Sequence, residues 1–288
     1  MIFHQIRYIF KYIYNNIFFP KILNLKYKNI LQKNSALKDS KKGKRCFILG
    51  TGPSIKNIDL GLLHNEDTFA VNDFDKFPAF PSMRAKFYVI MDSIYFSDDG
   101  RSGIWGKNLE HKTETIGTAT SLFLNVETKK IVEDKKLFNR NPKYYLSAHG
   151  LFSEKISCNI DIDKTIPYLK NVTLACLIIA VYMGYDEIYL LGCEHNYLSF
   201  RSGIGQLKIV DHCYEDDDVK NIDTRDVERD LKMSYESCIA NTLQLFKNYR
   251  IFYQKVKKMK PSTKIFNATP NSFLDVFPKI DFKDIKFS

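Results

Sequence analysis

From residue 45 onward the chain alternates short apolar runs with polar or glycine-bearing turns. The runs at Cys46–Leu49, Thr68–Val71, Ala85–Met91, Thr120–Val126, Lys143–Ser147, Glu187–Gly192 and Lys264–Ala268 each have the length of a strand. Several are apolar throughout rather than alternating, the pattern of strands buried on both faces of a parallel sheet. Asn171–Tyr185 is apolar on all sides and predicts a buried helix, with Asn171 as its N-cap and Gly184 as its stop. Asp226–Lys258 predicts a long helix with one apolar stripe, acids in its first turns, lysines in its last, and Pro261 beyond it. A short helix is expected over Asp59–Leu63 and a mobile loop over Ser97–Gly106. Together these predict an α/β, Rossmann-like fold, a mostly parallel sheet flanked by helices, with a lid insertion over residues 197–221.

The front of the chain reads differently. Ile2, Phe3, Ile6, Ile9, Phe10, Ile13, Ile17 and Phe18 recur at three- and four-residue spacing, which predicts an N-terminal amphipathic helix over Met1–Phe19, ended by Pro20. Lys21–Lys44 reads as a linker. Residues 1–44 are thus expected to form a basic segment and linker, and 45–288 a nucleotide-binding domain. The net charge of +10 sharpens this division, because seven basic residues precede the first acid, Asp39. A basic helix with large aromatics suits the headgroup region of a membrane, and it equally suits packing on its own domain or on a second subunit. No run reaches the length of a membrane span, and no usual signal peptide is present. The six cysteines are scattered without a CxxC pair, which fits a reduced, cytoplasmic protein without a zinc site.

Candidate chemistry gathers where the predicted strands end. Gly50, Thr51, Gly52, Pro53 and Ser54 form a glycine-rich turn between a strand and a predicted helix start, where backbone N–H groups can meet a phosphate. The same residues also make an ordinary tight turn; neither G-x-G-x-x-G nor G-K-[ST] is present. Asn72, Asp92 and Glu194 each end a strand, at the edge where parallel sheets present ligand groups. The two acids suit ribose or sugar hydroxyls, and alternatively Mg²⁺. His195 follows Glu194 and His212 lies in the expected lid. Either suits a general base, with His149 a weaker third. Thr269-Pro270-Asn271-Ser272 is placed to close the site or to make a turn, and Arg201 and Lys208 to pair with a phosphate or an acidic acceptor, or to be solvated.

Several of these stretches resemble a known group. Gly50–Asp59, reading Gly-Thr-Gly-Pro-Ser-Ile-Lys-Asn-Ile-Asp, is similar to the opening of small bacterial sialyltransferases that use CMP-sialic acid. Phe69–Asn72, Met183–Gly192 and Lys264–Ser272 resemble three later blocks of that family in the same order. The wider MptE-like group, named after a 6-hydroxymethylpterin diphosphokinase, has the same motif order, and Gly-Cys-Glu-His here looks more like that group. Thr51 stands where the sialyltransferases have Asn, Asn171-Val172-Thr173 where they have Thr-Ser-Gly, and His195-Asn196 where they have aromatics.

The resemblance implies a glycosyltransferase that works without a metal. It places Gly50, Thr51, Gly52, Pro53, Ser54, Asn72, Asp92, Asn171, Val172, Thr173, Glu194, Asn271 and Ser272 at the nucleotide or donor, and makes His212 the catalytic histidine with His195 the second candidate. The expected activity is transfer of a sugar, such as a nonulosonic acid, from a CMP donor to a glycan or lipid-linked acceptor of capsule or lipopolysaccharide, with inversion. The enzyme would lie on the inner face of the cytoplasmic membrane, as a monomer or homo-oligomer, with no nucleic-acid partner. The alternatives are an ATP- and Mg²⁺-dependent diphosphokinase and a non-catalytic nucleotide-binding scaffold.

Overall fold

A computed structural model describes residues 2–96, 109–154, 159–196, 198, 212–213 and 234–287. Its helices are α1 (Ile2–Ile13), α2 (Phe19–Lys26), α3 (Lys28–Leu31), α4 (Phe80–Met83), α5 (Leu109–Thr115), α6 (Lys129–Asp134), α7 (Val172–Met183) and α8 (Tyr235–Met259). Its strands are β1 (Arg45–Leu49), β2 (Asp67–Val71), β3 (Phe87–Ile90), β4 (Ser121–Asn125), β5 (Lys143–Leu146), β6 (Glu187–Leu191) and β7 (Lys264–Asn267). All seven pair in parallel, in the order β5-β4-β3-β2-β1-β6-β7, so the sheet is wholly parallel where the sequence predicted mostly parallel.

The order has one reversal. The chain lays down β1 to β5 outward in one direction, then returns through α7 to place β6 on the free side of β1. Loops leaving β1 and β6 therefore start at the switch point of the sheet, whose carboxyl edge is where open α/β sheets bind ligands. Successive residues of each strand face opposite cores. Cys46, Ile48, Phe69, Val71, Phe87 and Val89 pack with α7 and α8 on one face. Phe47, Leu49, Ala70, Tyr88, Ile90, Leu122 and Leu124 pack on the other. That double burial explains the continuous apolar runs. From Thr173 to Met183 every residue of α7 is buried; the Asn171 side chain accepts from Leu174 N–H at 3.1 Å, and Gly184 closes the helix at φ +84°.

The front of the chain departs from expectation. Pro20 does not end the first helix. A single π turn, Tyr14–Phe18, joins α1 to α2, and Pro20 sits in the first turn of α2. A proline has no N–H to give and fits there, just past the seam where Phe19 N–H bonds Tyr14 O. The stretch read as a linker is folded as well. Most of residues 21–37 lie in α2, α3 and a 3-10 stretch, Gln32–Leu37, anchored by buried Leu31 and Asn34. The Asn34 amide donates to Tyr145 O at 2.8 Å and Ile162 O at 2.7 Å. The expected helix over Asp59–Leu63 is a 3-10 turn, Leu60–Leu63. The long helix begins at Tyr235, capped by Ser234; Asp226, Glu228 and Asp230, like the loop at residues 97–106, lie outside the described residues.

Candidate functional site

The loops after β1 and β6 touch through glycines. Gly50 N–H bonds Leu191 O at 2.8 Å and Gly52 N–H bonds Gly192 O at 3.0 Å. A Cβ on Gly50 would lie 2.3 Å from Gly192 O, so only glycine permits this approach. Pro53–Asn57 is a single 3-10 turn rather than the start of a helix, and its first free N–H is already used. Ser54 N–H donates to Glu194 Oε1 at 2.8 Å. A carboxylate thus occupies the donor where the sequence placed a phosphate. Glu194 Oε2 lies so close over Gly52 that a Cβ there would meet it at 1.5 Å.

Three buried polar atoms line this edge without a hydrogen-bond partner among the described residues: Ser54 Oγ, Asn72 Oδ1 and Glu194 Oε2. Buried polar groups are nearly always paired, so three orphans on residues following β1, β2 and β6 mark a place where a polar ligand fits. The backbone carries a second sign. Asn72, His195 and Asn271, which follow β2, β6 and β7, all have left-handed φ, at +47°, +55° and +54°. Such strain at non-glycine residues gathers at functional sites.

Asn72 is held from behind. The Tyr88 hydroxyl lies 2.7 Å from Asn72 O and 3.0 Å from Asp75 Oδ1, and accepts from Asp75 N–H at 3.0 Å. Burial raises the Tyr88 phenol well above its ordinary pKa, so it keeps its proton. Beyond it, fully buried Lys112 pairs with Asp73 at 2.7 Å and with Asp75, and Tyr95 OH donates to Asp73 Oδ2 at 2.9 Å. Sequence reading missed this network. Asp73 and Asp75 beside Asn72 gave a faint signal, but Lys112 stands among polar residues and gave none.

His195 is enclosed. Its Nδ1 lies 2.9 Å from Cys193 O, which makes that nitrogen the donor and leaves Nε2 to accept. Nε2 lies 2.8 Å from the Tyr249 hydroxyl and 3.1 Å from the Asn171 amide nitrogen. Tyr249 OH also lies 3.0 Å from Asn171 Oδ1. Burial pulls the His195 pKa from its ordinary 6.5 down to about 4, so the ring is neutral at pH 7. Because the folded protein resists protonation here, its stability is complete above pH 6.5 and falls as the pH drops towards 4. The loss is about 3 kcal/mol. Denaturant melts between pH 7 and pH 4 are expected to show this slope in the wild type and a shallower one in His195→Gln. Equal slopes would refute the assignment.

His212 and Cys213 sit on the glycine-rich turn. Cys213 N–H donates to Thr51 O at 2.8 Å, and the buried Cys213 thiol, pushed up to about 12 by its burial, feels the charge of Glu194. Of the expected lid, only Leu198, His212 and Cys213 are described, and Arg201 and Lys208 fall outside. Asp92 is exposed and accepts from Ile94 N–H at 3.0 Å. Val172 and buried Thr173 begin α7, with the Thr173 hydroxyl 3.9 Å from Cys193 Sγ. Ser272 donates to Cys193 O at 2.7 Å, and Thr269 Oγ1 accepts from Cys193 N–H at 3.0 Å, so the turn after β7 grips the end of β6. Asn271 is exposed on that turn. The His149 ring packs on Phe19 in a tilted contact, centroids 4.6 Å apart, on the side of the N-terminal segment.

No family model matches this chain, and no curated protein matches it. Two solved structures are similar in chain course. One is the sialyltransferase CstII from Campylobacter jejuni in complex with a substrate analogue, cytidine-5'-monophosphate; it is 17% identical, with a TM-score of 0.44 over 83% of this chain and 86% of that one. The other is the sialyltransferase CST-II in complex with a trisaccharide acceptor and CMP, also 17% identical, with a TM-score of 0.44 over 85% of this chain and 89% of that one.

Proposed function

We propose that this chain is a glycosyltransferase that takes a sugar, such as a sialic-acid-like nonulosonic acid, from a CMP donor to a glycan or lipid-linked acceptor of a surface polysaccharide. The observation that carries the reading is the set of orphaned polar atoms, Ser54 Oγ, Asn72 Oδ1 and Glu194 Oε2, at the carboxyl edge of β1, β2 and β6. The choice of CMP rests on the motif resemblance at Gly50–Asp59 and its companions.

Charge sets the orientation of the donor. A carboxylate repels a phosphate and accepts from hydroxyls, so Glu194 takes the ribose, and the phosphate lies away from Glu194 and Ser54, towards the amide N–H₂ of Asn72, whose Oδ1 accepts from a sugar hydroxyl. In the reaction the acceptor oxygen attacks the anomeric carbon from the face opposite the phosphate, the bond from that carbon to the phosphate oxygen breaks, and CMP leaves. His212 takes the proton of the acceptor hydroxyl. The reading assigns no metal. The rival diphosphokinase needs Asp92 and Glu194 on one Mg²⁺, but they follow β3 and β6, three strand spacings apart. That is about 14 Å, against Mg–O bonds of about 2 Å.

Gly52→Ala isolates the role of Glu194. The Gly52 backbone, at φ −70° and ψ 157°, accepts alanine, and the three atoms nearest the new methyl all belong to the Glu194 carboxylate. Glu194 must move, and CMP affinity is expected to fall roughly 10–100-fold, the worth of a hydrogen bond to a charged group. Gly52→Ala/Glu194→Ala should bind no more weakly than Glu194→Ala alone, because both changes remove one interaction. Additive losses by calorimetry would show that Gly52 acts elsewhere. The function itself is tested by a thermal-shift screen against CMP, CDP, UDP, GDP and ATP, with and without Mg²⁺.

A further inference from the structure

We propose that the outward face of the N-terminal helical segment is a docking surface for an anionic lipid bilayer. Ile6, Phe10, Tyr14, Phe18 and Ile22 recur every four residues and are all exposed, with Leu25 one turn further at 77% exposure. In a regular α-helix of 3.6 residues per turn, a four-residue repeat drifts around the axis. The wider π turn at Tyr14–Phe18 takes up part of that drift, which narrows the spread of the stripe around the segment. Seven of the fifteen exposed large apolar side chains among the described residues lie between Ile6 and Leu25, so the patch is a concentration and not the usual scatter.

The opposite face is fixed to the body, which determines what the stripe confronts. Asn16 Oδ1 accepts from Leu151 N–H at 2.7 Å, Asn24 Oδ1 accepts from Thr165 N–H at 2.5 Å, and the Phe19 ring packs tilted on His149. The apolar side chains therefore have no place to fold back. Leu151 and Tyr168, exposed beside this anchorage, add to the apolar surface. His149–Leu151 follow β5, so the segment lies at the carboxyl edge of the sheet, the edge that carries the candidate site.

Charge selects the occupant. Arg7, Lys11, Lys21, Lys26 and Lys28 flank the stripe and are exposed, and no acid precedes Asp39. A second copy docked face to face would bring like charges together, whereas phosphate headgroups neutralise them. No helix among the described residues is long and apolar enough to cross a membrane, so the fitting mode is a helix lying in the headgroup plane. This proposal does not depend on the glycosyltransferase reading.

The test is co-sedimentation of the full chain with phosphatidylcholine vesicles, with and without phosphatidylglycerol. Binding is expected only with phosphatidylglycerol and should weaken as salt rises. Phe10→Ser/Phe18→Ser should reduce binding by roughly tenfold for each phenylalanine removed from lipid. Lys11→Glu/Lys21→Glu should reduce it too, while Leu62→Ser, an exposed apolar change in the turn after β1, should leave it unchanged. Circular dichroism is expected to be the same for all variants, since every altered side chain is exposed. Failure of the wild type to bind either vesicle, or loss of binding in Leu62→Ser equal to that in the stripe variants, would overturn the proposal. So would a dimer in sedimentation that the stripe variants dissolve.

Discussion

Lys112→Met is expected to lower stability by about 3–5 kcal/mol. Lys112 is the only described cation contacting the buried carboxylates of Asp73 and Asp75. Methionine fills the space but leaves two acids uncompensated in the core. Against a total of about 5–15 kcal/mol for a typical domain, the loss is large enough to read directly in a denaturant melt. Lys112→Met/Asp75→Asn should regain part of it, since one buried charge is then gone. The exposed pair Lys129–Glu133 is the control: Lys129→Met should cost at most about 0.5 kcal/mol. A cost for Lys112→Met as small as the control's would mean that water reaches the network and that Asn72 is not braced by it.

His212→Ala is expected to lower turnover by about 10²–10⁴-fold, the usual worth of a general base, with CMP affinity unchanged. The split follows from position. Cys213 N–H docks on the Thr51 carbonyl, near Glu194, so His212 is held beside the glycine-rich turn. His195 is the poorer base because both of its ring nitrogens are engaged and its burial holds it neutral. His195→Gln should therefore act mainly on stability. Steady-state rates with a CMP-sugar donor, beside calorimetric CMP binding, separate the two histidines. Turnover near the wild-type rate in His212→Ala would remove it from the mechanism.

The sheet was legible because its strands announce themselves. A run such as Cys46-Phe47-Ile48-Leu49 is apolar at every position and is only four residues long before a glycine-rich turn, which suits a strand covered on both faces. The helix after Asn171 was equally plain, from its cap, its all-round apolarity and Gly184. Pro20 misled because a proline is compatible with a first turn as well as with a last one, and the π turn that precedes it has no sequence signature. Residues 21–37 misled because their anchors are polar: Asn24 and Asn34 secure the segment by hydrogen bonds to backbone groups, and composition alone reads them as loop residues.

At the candidate site, the sequence located the edge but not the pairings. Gly50, Gly52, Asn72 and Glu194 follow strands that the topology brings side by side. That Glu194 bonds Ser54 N–H was hidden, since the two are 140 residues apart. The role of Tyr249 was hidden for the same reason: in the long helix it reads as one more apolar stripe residue, yet its hydroxyl closes the polar cluster of Asn171 and His195.

Binding of a cytidine nucleotide at the carboxyl edge of β1 and β6 is tested by thermal unfolding of the wild type and Glu194→Ala with each nucleotide of the screen. At about a hundredfold excess over its dissociation constant, a ligand of the folded state adds about 2.7 kcal/mol, a shift of several degrees. CMP is expected to raise the melting temperature of the wild type without Mg²⁺, ATP is not, and Glu194→Ala is expected to lose most of the CMP shift. Stabilisation by ATP only in the presence of Mg²⁺, or an equal CMP shift in Glu194→Ala, would rule out cytidine binding there.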